Sequence, residues 1–208
     1  MIPFQRVNLP PGMHAIERTV DLMARAAMGK WGAHSPRIRT LAIDIIRRAG
    51  VREKDKLGEV DAIHQWVMQH LRYVNDPLWQ EFITYPETLA FDQKDGDCDD
   101  HAVLEAALLG AIGIRTRFVT VAPKPGPMSH VYLQANVTSD DGTGTGARVA
   151  RWIDLDPIMK DQPMGWAVPN PYARTIFPLN SPKGIGLQST GGLLATLAGI
   201  AASLGIIK

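Results

Sequence analysis

Apolar residues recur at helical spacing through the first third of the chain. Ile16, Val20, Met23 and Ala27 mark an amphipathic helix from about Met13 to Met28. Ser35-Pro36 then offers an N-cap followed by a proline at the first helical position, and Ile38, Leu41, Ala42, Ile45 and Ile46 make one stripe that Gly50 closes. A third helix is predicted from near Asp55 to about Tyr73, with Leu57, Val60, Ile63, Val67 and Leu71 turned to the core. From Asn75 to Gln93 the pattern gives way to loop, punctuated by Asp76-Pro77 and Tyr85-Pro86. Helical apolarity resumes over Ala102 to Gly110, directly after Lys94-Asp-Gly-Asp-Cys-Asp-Asp-His101. There Gly96 supplies a permissive turn and Asp97 an N-cap.

Beyond Gly110 and Gly113 the period changes to two. Ile114 to Val121 reads as a strand, and Pro123, Pro125, Gly126 and Pro127 force a loop. From His130 to Val137 the residues alternate: His130, Tyr132, Gln134 and Asn136 share one face, and Val131, Leu133, Ala135 and Val137 the other. A Gly-rich stretch, 139–146, leads to a further strand from Val149 to Asp156 that stops at Pro157. Ala150, Trp152, Asp154 and Asp156 lie on one of its faces. An antiparallel hairpin with its turn near Thr143 sets His130 opposite Asp156, close enough for an imidazole N–H to reach the carboxylate. A one-residue slip would separate them, and a two-residue slip would bring Asp154 to His130 instead.

Composition narrows the classes. The 208 residues suffice for one sizeable domain with an extension, and 22 Lys plus Arg against 21 Asp plus Glu leave no bulk charge to attract nucleic acid. The N-terminus lacks the pattern of a signal peptide, so the chain is expected to be cytoplasmic at synthesis. The single cysteine, Cys98, excludes an internal disulfide and sits where a helix begins, among N–H groups and the positive dipole end that favour thiolate. Asp97, Asp99 and Asp100 oppose that charge, so a cation must come from elsewhere. His130, oriented by Asp156, fits that need, with Asp154 as the alternative third member. Such a trio would attack an amide carbonyl, with histidine then protonating the leaving amine.

Trp79, Tyr85 and Asp97 are candidates for lining the cleft, although aromatics that pin a loop to the core would look the same. His64 and His70 are six apart, not the four of a helical metal pair, and read as structural or surface residues. The run from Asp92 to Asp100 fails the calcium-loop template, and Cys98, His101 and His130 fall short of a zinc site. No metal and no cofactor is implied.

Several motifs together resemble the transglutaminase-like superfamily of thiol acyl-transfer enzymes. They are Tyr73 to Pro77, Tyr85-Pro-Glu-Thr-Leu89, Gly96-Asp-Cys-Asp99, Ala111-Ile-Gly-Ile-Arg115, Ser129-His-Val-Tyr132 and Trp152-Ile-Asp-Leu-Asp-Pro157. The resemblance implies a papain-like α+β fold, in which a Cys-bearing helix packs on an antiparallel sheet; the helical pattern and the prolines add N-terminal helices and an extended C-terminal arm to it. The resemblance also implies a triad of Cys98, His130 and Asp156 and a protein or peptide substrate. The expected layout is an N-terminal arm and helices at 1–54, a catalytic core at 55–160, and a Pro-rich strap with an apolar helix at 161–208. In that tail Leu193, Leu197, Ile200, Leu204 and Ile207 form a short heptad seam, too short for a transmembrane span and suited to self-association or an assembly partner through residues 187–208. Compact members of this superfamily occur in bacteria and tailed phages. The competing reading is therefore a non-catalytic assembly protein, incorporated into a phage particle, that keeps the fold and works through its tail.

Overall fold

The computed structural model describes residues 5–7, 13–76, 81–140 and 148–179. At its centre lies α5, Cys98–Ala111, apolar beyond its first turn except for Glu105. Such a helix must be enclosed on every side, and twelve of its fourteen residues are buried. The enclosing elements are α1 (Met13–Met28), α2 (Pro36–Arg48), α3 (Lys56–His70) and one face of a four-stranded sheet. Val20 and Met23 from α1, Ile38 from α2 and Ile63 from α3 join Leu104, Leu108, Phe118 and Leu133 in one core.

Local signals set the helix starts. Ser35 caps α2, its hydroxyl oxygen accepting from the N–H groups of Arg37 and Ile38, and its O–H donates to the buried carboxylate of Glu87. The third helix stops at His70, before the expected Tyr73. The cause is tertiary: Arg72 N–H donates to the carbonyl of Lys94 and Val74 N–H to that of Gly96, which draws Arg72–Tyr73 (β2) into a parallel pair with Asp95–Gly96 (β4). The expected loop from Asn75 to Gln93 also holds more structure than its composition suggested. It contains β3 (Glu81–Ile83), paired with β1 (Gln5–Val7), then a short helix α4 (Pro86–Thr88) running into a π-helical turn, Leu89–Gln93. Tyr85-Pro86 was the missed signal, a proline at the first helical position.

The sheet has strand order β7-β6-β5-β8, every neighbour antiparallel: β5 is Thr116–Ala122, β6 His130–Asp140, β7 Arg148–Leu155 and β8 Ala173–Pro178. Residues 157–172 set Ala167 and Val168 against Val119, Val121 and Tyr132 on the sheet face away from α5. The chain then enters the sheet as β8, which the proline count had hidden. The hairpin register differs from the arithmetic. Gln134 pairs with Asp154, where a turn near Thr143 would have set Trp152, so the pairing is shifted by two residues. A shift of two keeps every side chain on its expected face. The heptad seam of 187–208 lies outside the described residues. Among those described, no helix is long and apolar enough to cross a membrane.

Candidate active site

Cys98 is the first residue of α5, and the segment before it is fixed from several sides. Asp97 caps the helix, its carboxylate accepting from Asp99 N–H at 3.2 Å, and its carbonyl accepts from His101 Nδ1–H at 2.8 Å. Gly96 is needed here for a close approach. A Cβ on it would lie 2.3 Å from Oδ2 of Asp100, and the left-handed turn expected of it is made by Lys94, at φ 59°. Asp100 in turn accepts from Thr84 N–H at 2.8 Å, tying the β3 segment to the first turn of α5. Burial holds the Asp100 carboxyl well above the ordinary carboxylate range.

Half-buried, Cys98 opens into a cleft of about 340 Å³ that also takes in His130, Tyr73, Asn75 and Asp97. His130 starts β6 and donates from Nε2 to Oδ2 of Asp156 at 2.7 Å. The Asp156 side chain is almost fully enclosed. With the shifted register the two are diagonal rather than directly opposed. Asp156 lies just past Leu155, the last paired residue of β7, and is still within reach of the imidazole. Asp154 is not brought to His130. Its Oδ1 accepts from Gln134 at 2.7 Å and from Arg174 at 3.1 Å. Tyr85 packs against the core and does not line this cleft. Trp79 lies outside the described residues.

Three features of the site were not anticipated. Tyr73 and Asn75, placed by the β2 to β4 pairing, form part of the cleft, and burial together with the nearby Cys98, Asp97 and Asp99 raises the Tyr73 phenol. The α1 residues Ile16, Thr19, Val20 and Met23 supply a whole wall. Behind the site, His64 Nδ1–H donates to Oε1 of Glu105 at 2.8 Å, with both side chains at most 2% exposed. Burial pushes the Glu105 carboxyl up. It works against a charged His64, but Glu105, Asp61 and Asp156 outweigh it and raise the imidazole. A lone Glu inside the apolar run 102–111 was the available hint.

Asp97, Asp99 and Asp100 each bring a carboxylate oxygen within 4.8 Å of the others, the metal-capable grouping found among the described residues. Oxygens of Asp97 and Asp100 already accept backbone N–H groups there.

Cys98, at the start of α5, thus shares its cleft with a histidine that is hydrogen-bonded to Asp156. The model of the transglutaminase-like superfamily matches residues 39–157, more than half of the chain, and the chain belongs to that superfamily. Two solved structures are similar to it. One is described as a "putative protease" from Parabacteroides distasonis, with 16% identity, a TM-score of 0.46, and 62% of this chain and 25% of that one covered. The other is described as a "putative cysteine protease" from Cytophaga hutchinsonii, with 18% identity, a TM-score of 0.44, and 90% and 64% covered. The chain thus spans a quarter of the first and under two thirds of the second. A comparison with curated proteins finds no match.

Proposed function

We propose that this protein is a cysteine-dependent enzyme of amide bonds, with Cys98 as nucleophile, His130 as acid and base, and Asp156 as the group that orients the histidine. The observation that carries the reading is the 2.7 Å hydrogen bond from His130 Nε2 to Asp156, made by a histidine that shares the cleft of Cys98. With Nε2 committed, Nδ1 is the ring nitrogen that takes the thiol proton. Sulfur then bonds to the amide carbon, and the carbonyl electron pair moves to oxygen, to which the Cys98 N–H at the start of α5 donates a hydrogen bond. Collapse of this adduct breaks the C–N bond, and His130 returns the proton to the departing amine. Water, deprotonated by the same imidazole, cleaves the thioester and restores the thiol. Hydrolysis is favoured over cross-linking because nothing among the residues selects an amine over water.

Alkylation by iodoacetamide across pH tests this reading. Cys98 should react well below the ordinary thiol pKa of about 8.5, and His130→Ala should remove that reactivity. Peptide hydrolysis should fall by about 10²–10⁴-fold in His130→Ala and vanish in Cys98→Ser. An ordinary thiol titration in both wild type and His130→Ala would return the chain to the assembly reading, which rests on residues 187–208.

A further inference from the structure

The cleft has two unlike sides. Asp99 comes from the first turn of α5 and Asp97 from its cap, and Tyr73 and Asn75 from the β2 side. The α1 side chains that line it, with Thr120 and Val131 of the sheet, form a wall that carries no ionisable group, beside His130 at the start of β6. Ile16, Val20 and Met23 follow one another at steps of four and three, so a single stripe of α1 faces the cleft. Thr120 and Val131 are paired across β5 and β6 and complete the wall. Val20 and Met23 are 2% and 0% exposed, Thr120 and Val131 4% and 7%, so the wall is set in the core and does not depend on surface side chains. The superfamily match begins at residue 39, so the α1 part of this wall lies outside the matched residues.

We propose that the wall is a side-chain subsite, selecting substrates with an uncharged aliphatic residue of about leucine size on the acyl side of the amide that Cys98 attacks. This rests on the reading of Cys98 as nucleophile. Protein interiors are close-packed, so an open volume at the edge of the core, bordered by uncharged and mostly aliphatic side chains next to a nucleophile, is room for a group that arrives from outside. An aliphatic side chain entering it leaves water, which is favourable in proportion to the area covered. A charged one would lose its hydration with no partner on the wall. An acidic one would also meet Asp97 and Asp99, and no Lys or Arg is among the described residues that line the cleft. Met23, unbranched and adaptable, lets the wall follow side chains of slightly different shape.

Peptidyl chloromethyl ketones measure the subsite on the full chain without requiring turnover. The Cys98 sulfur displaces chloride from the methylene carbon, forming C–S as C–Cl breaks, and mass spectrometry gives the rate. With Leu beside the ketone the rate should exceed that with Gly by about an order of magnitude, the factor expected from burying such a side chain. Glu in that place should react more slowly than Gly. Val20→Trp fills the pocket and should bring the Leu-to-Gly ratio close to one. Val20→Ala, which keeps the helix and enlarges the pocket, should move the preference from Leu to Phe and serves if the tryptophan variant does not fold. Equal rates for Leu and Gly in the wild type, or the wild-type preference for Leu over Gly and Phe persisting in Val20→Ala, would overturn the subsite. Its failure differs from that of the enzymatic reading. The ratio reports the pocket even at an ordinary thiol, whereas loss of the His130-dependent reactivity with iodoacetamide removes catalysis and leaves the ratio untouched.

Discussion

Enclosing Glu105 and His64 takes two ionisable groups out of water, and the 2.8 Å hydrogen bond between them offsets that loss. Glu105→Ala should therefore cost about 3–5 kcal/mol in urea denaturation, while replacing both by Leu should recover most of it, since a buried pair and its apolar substitute are often equivalent. Asp76 makes a pH-dependent prediction. Burial, with the charge of Asp97 adding to it and the Phe82 N–H opposing, lifts its carboxyl to about 6. A folded-state value raised above the unfolded one means that the protonated form stabilises the fold at low pH. That contribution is lost as pH rises from the unfolded value toward 6, and above 6 the carboxylate is held at a cost. Asp76→Asn should match the wild type in thermal stability near pH 3.5 and exceed it at pH 8, and a constant difference across that range would refute the account. Cys98, His130, Asp156 and the Asp97 cap were all legible as residues, because each has a local signature of helix start, strand start or strand end. His64 and Glu105 were not, since their meaning lies in each other, 41 positions apart.

At the scale of elements, the clearest sequence signals are caps. Ser35 joins α2 to the segment after β3, because the same hydroxyl receives two N–H groups and donates to Glu87. Ser35→Ala should lower stability by about 1–2 kcal/mol, at the upper end for a cap because Glu87 loses a partner as well, as read from the denaturation midpoint. Strand faces were equally readable, since a period of two survives any even shift of register. The register itself was not. Composition between the two strands does not fix the position of the turn. The end of α3 and the existence of β8 escaped for a related reason. Arg72–Tyr73 and Ala173–Pro178 become strands only because β4 and β5 present open edges to them.

For the whole molecule, α1 and α2 are part of the core that surrounds α5. Val20, Met23, Ala26 and Ala27 of α1 and Ile38 and Ala42 of α2 are buried with it. A chain beginning at residue 55 should therefore lose cooperative thermal unfolding, although most of the superfamily match and every proposed catalytic residue remain in it. Retention of a sharp transition would show that 1–54 is a separable arm. The sequence by itself determined α1, α2, the body of α3, the alternating strand faces and the helix start that carries Cys98, because all of these follow from neighbours along the chain. Tertiary structure decided the two-residue shift that leaves His130 and Asp156 diagonal, the capture of β2 and β8, the pairing of His64 with Glu105 and the α1 wall of the cleft. Each of those is a meeting of distant segments, settled by which edges and apolar faces remain to be covered once the local elements have formed.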